Sequence, residues 1–494
     1  MTLKNCYKYF LWFAVCGLLI YALGFGVWTV MATETGNGDN VEHLHATWLV
    51  AYGSVPYKDF FQHHNPLLWY IFAPIVKHYT NLLSLLDFAH AVAMVAGAIT
   101  FWVVYKIATR FFVGGISALI SLLILCPPYF YIYCFNFNPD TFMALFYAVG
   151  LYFLFIYWQE KKLFALCVAF MSFFAAFMFT QKILIPLLAL GLISLFIFYK
   201  QKSPLKDVAT AVVLPITCLL LFVALLYHYD ALKLYWLSNY PFNVVMQKYY
   251  GFKQIDVMDH ETLIFSVSMA VISIIFFFKS SNLYFKVISV LFAIELPLRC
   301  FYFSIAPYYM LPLMIYTACL NSVFIEKIRA KAPYLLLIFI GVAGYYAYIS
   351  ASSYLSVRGQ DRSFARFLNR NVTPCDYVLS GYLGNQSVMS KDPHYYWAMF
   401  GHIDMAGEEI GIAPHPIMDD LVVKYLPKII YSGIYKSSYA EHRGYYEEIQ
   451  RISPEIIEKF YMPSPFSEFY LLKYEYRRQN CVYDKVTKEW KYAD

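Results

Sequence analysis

The sequence predicts an all-α polytopic membrane protein of about eleven transmembrane helices, followed by a small C-terminal extramembrane α/β domain. Three observations carry this prediction. The 494 residues are 60% hydrophobic and only 14% charged, where a soluble domain holds roughly a quarter charged residues. Apolar runs of about 18 or more residues recur between residues 9 and 352. From about Ser353 to Asp494 the chain turns polar and tyrosine-rich, and it is long enough for one small domain.

The first apolar run, 9–31, follows Lys4 and Lys8. It exceeds the length of a signal-peptide core and no small-residue cleavage site follows, so it is expected to remain as an uncleaved first span. Further spans are expected at 85–108, 112–132, 141–158, 163–180, 183–200, 207–227, 261–279, 286–304, 307–325 and 333–352. Pro66–Lys77 is too short to cross a bilayer and reads as a helix lying in the interface. With the N-terminus inside, cytoplasmic connections hold Lys106, Arg110, Lys161, Lys162, Lys200, Lys279, Lys327 and Arg329 among others. The opposite connections hold about half as many cations, which places 32–84 and the C-terminal tail outside.

Within the tail, Cys375–Gly384 reads as a short buried strand ending in a turn, and Asp419–Gly433 as a helix, a proline break and a second strand. The expected domains are therefore a membrane part, 1–352, and an external domain, 353–494. Of ten cysteines, Cys375 and Cys481 lie in the polar tail, and a disulfide between them is one possibility. Basic residues form no stripe with interleaved aromatics, which argues against a nucleic-acid partner. No internal repeat stands out, which weakens an inverted-repeat transporter.

The densest polar stretch is Gly38–Trp69, GDNVEHLHATWLVAYGSVPYKDFFQHHNPLLW. Asp39 could act as general base toward an acceptor, with Glu42 on the same helical face; the alternative, and for a bare D-x-x-E the more common one, is that Asp39 caps a helix beginning at Asn40. Lys58, His63 and His64 suit a phosphate or diphosphate. His43, His45, His63 and His64 match no familiar zinc spacing, so no metal is expected. In the short external connection CFNFNPDTF (Cys134–Phe142), Asp140 is either a second site carboxylate or, with Asn138, a candidate helix cap ahead of Pro139. Lys182 and Arg299 are cations at outer span ends, where a charge faces a cavity or a partner, or snorkels to the surface. Pro297, Pro307 and Pro312 are expected to break the helices around Arg299.

These pieces in this order resemble the polytopic GT-C glycosyltransferases, in the branch of the protein O-mannosyltransferases and lipid A aminoarabinose transferases. The acidic motif is Asp39-Asn-Val-Glu42, where the family has an adjacent Asp-Glu pair. The later segment Gly53–Trp69 resembles the family's "G…P…PPL.W" stretch, and Tyr308–Pro312 resembles its "Y-L-x-P" stretch. The resemblance implies a GT-C fold, Asp39 as catalytic carboxylate and Asp140 as the second one. Where the aminoarabinose transferases place a phosphate-contacting lysine, this chain has His64, and Asn65 replaces the first proline of the pair; Lys58, Lys182 or Arg299 would share the contact.

The implied donor is a sugar on a polyprenyl phosphate, and the implied acceptor a lipid, a glycan or a protein of the envelope, met on the outer face of a bacterial inner membrane. Such a donor needs no nucleotide fold, no Gly-rich phosphate loop is found, and no cofactor is implied. The alternative from another class is a transporter or flippase of lipid-linked oligosaccharide, which explains the spans and intramembrane cations but not an external carboxylate loop.

Overall fold

The computed structural model describes residues 9–21, 24, 38–125, 136–250, 261–277, 280–301, 310–356, 363–379, 388–396, 402–414, 417–431, 452–465, 469–484, 487 and 489–493. The chain divides into two compact units. One comprises Met1–Thr33, His90–Leu220 and Gly251–Gln360; the other comprises Glu34–Ala89, Leu221–Tyr250 and Asp361–Asp494.

The first unit is helical, and each apolar run read from the sequence holds a helix. Leu82–Phe111, Pro139–Glu160, Gln181–Lys200, Leu205–His228 and Leu311–Lys331 are long and apolar enough to cross a membrane. The protein is multi-pass. Leu205–His228 makes the point sharply: only 6% of its most apolar stretch is buried inside the protein. Leucines left out of the protein core in this way need lipid as their solvent.

Between helices in lipid there is little hydrophobic drive, so association relies on close packing and interhelical hydrogen bonds. Pro139–Glu160 and Leu163–Phe179 form a hairpin through Lys161, whose φ is 56°. Gly150 permits their approach, because a Cβ there would stand 2.3 Å from the Phe173 ring. Leu311–Lys331 lies buried along most of its length. Its carbonyls accept from neighbouring serines, Ser121 Oγ to Ala318 O at 2.8 Å and Ser273 Oγ to Leu320 O at 2.9 Å, and Asn321 Nδ2 donates to Ser266 O at 3.1 Å.

One expectation about prolines is corrected. Pro297 does not break a helix, since Leu283–Phe301 continues through it; a proline is tolerated in a membrane helix where neighbouring groups satisfy the freed carbonyl. Pro312 sits in the first turn of Leu311–Lys331, where no amide is missed. Pro307, Tyr308 and Tyr309 lie outside the described residues.

In the second unit the polar loop folds as Gly38–Ala51, a turn-rich stretch and a second helix, Leu67–Val76. Gly53 takes φ 98°, a conformation other residues resist, and lets the chain leave the first helix. Two short helices, Leu232–Asn239 and Pro241–Tyr250, belong to the same unit. The C-terminal part carries strands β1 (Val378–Leu379), β2 (Ile429–Tyr431), β3 (Tyr461–Pro463) and β4 (Phe469–Leu472) in the order β1-β2-β4-β3.

β1 and β2 are parallel, with Val378 opposite Ile429. The crossover between them includes Met418–Tyr425, which ends at Leu426 in the left-handed region just before Pro427. β4 runs antiparallel to both β2 and β3. Leu379, Met418, Val422, Ile430, Tyr461 and Leu472 form the core. A hairpin of β5 (Cys481–Asp484) and β6 (Glu489–Tyr492) is tied back by a disulfide between Cys375 and Cys481. The α/β reading of the tail thus stands, and of the alternatives for its two cysteines the chain takes the bonded one.

Candidate functional site

The candidate residues fall on both units. Asp39, Glu42, Lys58, His63 and His64 belong to the second; Asp140, Lys182 and Arg299 belong to the first.

Asp39 lies in the first turn of the helix Gly38–Ala51; its side chain is outside the described residues. Glu42, one turn on, is buried, and Gln62 Nε2 donates to its Oε1 at 3.1 Å. The bond ties the helix to the His63–His64 segment. His43 follows Glu42 and makes a second tie: the Trp69 indole N–H donates to His43 Nδ1 at 3.4 Å. An indole only donates, so Nδ1 holds the lone pair.

His43 packs edge-on against His64 with centroids 5.1 Å apart, and His63 lies 4.2 Å from His64. The structure therefore brings three imidazoles together. His43 was missed as a member because its signal, one histidine beside a carboxylate on a helix, does not predict that Trp69 and His64 fold back onto it. Among the described residues no group of three His, Cys, Asp or Glu is arranged to hold a metal ion.

The segment carrying His63 and His64 is gripped by its backbone. Tyr57, fully buried, donates its hydroxyl to His64 O at 2.6 Å. Asn243 Nδ2 donates to His63 O at 3.3 Å. Tyr235 donates to Asn65 Oδ1 at 2.8 Å, which gives the residue standing in place of the family's proline a partner of its own. Burial pushes the Tyr57 phenol well up, and a neighbouring phenolate at Tyr235 would push it further. Burial raises Tyr235 as well, with Tyr240 adding to it. These hydroxyls are therefore protonated donors, as their roles require. Lys58 differs from the histidines: it is exposed on the turn, where the Asp59 carboxylate accepts from Val55 N at 2.6 Å.

On the first unit, the two readings of Asp140 separate cleanly. Asn138 is the cap of Pro139–Glu160, its Oδ1 accepting from Thr141 N at 3.0 Å, with Pro139 in the first turn. Asp140 is released from that duty. Its carboxylate, 2% exposed, faces the Lys182 ammonium, 11% exposed, at 3.5 Å. Lys182 reaches it from the short turn Gln181–Ile183, which Thr180 caps between two span helices. Two candidates chosen separately from the sequence thus meet as one pair. Arg299 lies on Leu283–Phe301 with its side chain outside the described residues; Glu295, one turn earlier, is buried.

Carboxylates for proton removal, imidazoles as hydrogen-bond donors and a largely sheltered ammonium are the kinds of group that activate a hydroxyl and receive a leaving phosphate. Comparisons with known proteins bear on the family and the fold. Residues 74–228, which include Asp140 and Lys182, match the dolichyl-phosphate-mannose-protein mannosyltransferase family. The fold is similar to that of ArnT from Cupriavidus metallidurans bound to undecaprenyl phosphate, with a TM-score of 0.56 at 12% identity over 80% of this chain and 88% of that one. A crystal structure of the Archaeoglobus fulgidus oligosaccharyltransferase, in complex with Zn and sulfate, matches with a TM-score of 0.44 at 14% identity, over 74% of this chain and 60% of that one. No curated protein matches by sequence. The fold is of the GT-C type, as the resemblance in residues 39–69 implies.

Proposed function

We propose that this chain, whose fold is of the GT-C type, moves a sugar from a polyprenyl-phosphate donor to an envelope lipid, glycan or protein, with inversion. The observation that carries the reading is the Asp140–Lys182 pair, 3.5 Å apart, in the part of the chain that matches the mannosyltransferase family. In this scheme the acceptor hydroxyl attacks the anomeric carbon and its proton passes to Asp39, assisted by Glu42. The bond from the anomeric carbon to the phosphate oxygen breaks, and the phosphate leaves against cations and donors: Lys182 held by Asp140, the His63–His64 pair, and Lys58 and Arg299. In-line displacement inverts the anomeric centre.

The reaction would take place on the outer face of the inner membrane, with the N-terminus cytoplasmic. The membrane part would be 1–352, with 32–84 as its external catalytic loop, and 353–494 the external domain. The Cys375–Cys481 disulfide supports that orientation, since such bonds persist in oxidising compartments. Cys16, Cys167, Cys218 and Cys319, on span helices, are free thiols.

The test is donor consumption by purified protein given radiolabelled polyprenyl-phosphate sugars and envelope acceptors. Asp39→Asn and Asp140→Asn should each lower turnover by about 10²–10⁴-fold. Turnover unaffected by either change removes the site assignment. Lipid translocation without consumption of any donor favours a transporter.

A further inference from the structure

The C-terminal region has so far had no role, yet part of it lies directly against the helix and loop of the candidate site. His45, three residues after Glu42, is fully buried, and its ring is held from both sides by Val388–Tyr396. Its Nδ1 lies 2.7 Å from the carbonyl oxygen of Val388, and its Nε2 lies 2.7 Å from Oδ2 of Asp392. Both ring nitrogens are thus engaged by oxygens of this one segment, which fixes the plane of the ring. Asp392 is itself sheltered, with 9% of its side chain exposed.

The same segment grips the loop. Phe61 N donates to Tyr395 O at 2.9 Å, and the Tyr395 hydroxyl donates to Tyr57 O at 2.6 Å. Tyr57 in turn holds the carbonyl of His64. The Phe61 ring packs on Tyr396 at 5.3 Å. At its other edge the segment is stitched to the sheet: Lys391 N donates to Asp376 O at 2.8 Å, and Val378 N donates to Lys391 O at 3.1 Å.

We propose that Val388–Tyr396 is a positioning strap for the active site, in which Asp392 fixes the helix bearing Asp39 and Glu42 through the His45 ring, and Tyr395 fixes the His63–His64 loop through Tyr57. The inference rests on the glycosyltransferase reading. Its two arms act on different halves of the chemistry. The helix arm sets the carboxylates that remove a proton during the reaction; the loop arm sets groups that hold the donor's phosphate before it.

Full-length protein carrying Asp392→Asn, Asp392→Glu or Tyr395→Phe tests the strap. Asp392→Asn should lower kcat about ten-fold or more, in line with the cost of misplacing reacting groups, and leave the donor KM within about two-fold. Asp392→Glu should recover most of the loss. Tyr395→Phe, which removes one hydroxyl and no bulk, should instead raise the donor KM. Hydrogen exchange should quicken over 38–51 in Asp392→Asn and over 57–65 in Tyr395→Phe, with the strands β1 and β2 still protected. A change in stability alone would move neither the KM-against-kcat split nor the rescue. Wild-type kinetics in both variants, with unchanged protection of 38–65, overturn the strap. Wild-type protein that consumes no donor overturns the glycosyltransferase reading, and the exchange measurement then judges the strap by itself.

Discussion

Tyr57 stands at φ 68°, in a region that costs a side-chain-bearing residue about 1–3 kcal/mol. A glycine or asparagine would sit there more easily, so the ring and hydroxyl must offset the strain. They do so by filling a buried site against Tyr235, 5.1 Å away edge-to-face, and by bonding the carbonyl of His64. Tyr57→Phe keeps the ring and removes that hydrogen bond, which should cost about 0.5–1.5 kcal/mol of stability in the unit. If His64 contacts the donor phosphate, the donor KM should rise about ten-fold, since the imidazole is no longer held in place. Steady-state kinetics with a labelled donor measure it, and a wild-type KM would mean that the loop holds His64 without the hydroxyl. Nothing in the sequence marks Tyr57, because its backbone angle is set by contacts with Tyr235 and Tyr395, far away along the chain. The Asp140 ambiguity was of another kind. Asn138 and Asp140 are both good capping residues, and only the local geometry decides that Asn138 caps and Asp140 turns to Lys182.

At the scale of elements, the span helices were legible because a long apolar run has one stable form in lipid. The helix Leu67–Val76 and the helix–proline–strand pattern of the tail were legible for similar local reasons. The short helices Leu232–Asn239 and Pro241–Tyr250 were not. Each is too short to show a period, and their roles lie in Tyr235 and Asn243, which reach back to Asn65 and His63. The loop between two helices is thus clamped by phenols from remote elements, and this has a consequence at high pH. Burial raises Tyr57, Tyr235 and Tyr395 above the ordinary phenol value. A folded-state value raised above the unfolded one gives stability that is complete below pH ~10 and is lost as pH rises further, by about 1.4 kcal/mol per pH unit for each phenol. The second unit should therefore lose its near-ultraviolet circular dichroism steeply above pH ~10, with tyrosinate absorbance appearing in the same step. Phenolate that appears without loss of structure would mean that these hydroxyls are free to ionise in place.

For the whole molecule, the disulfide links stability to compartment. Cys375 and Cys481 are 106 residues apart, so their bond closes a long loop across the C-terminal part of the chain. A loop of that length is worth about 4–5 kcal/mol in the chain-entropy picture, and removal of a native disulfide from a small external domain costs about 2–5 kcal/mol. The sheet it guards is small, with strands of two to four residues, and has little core to spare. Cys375→Ser with Cys481→Ser should therefore make the C-terminal region markedly more open to limited proteolysis, while the span helices stay protected. The strap is stitched to Asp376, next to Cys375, so the same double substitution should also lower turnover. Thiol labelling with a membrane-impermeant reagent joins this to topology. In intact spheroplasts the two cysteines should resist labelling until a reductant is added, and then label without permeabilisation. Labelling without reductant would show that the bond does not form in the cell. Labelling that needs both reductant and permeabilisation would place the C-terminal region, and with it the loop it holds, on the cytoplasmic face, where a donor delivered to the outer leaflet is out of reach.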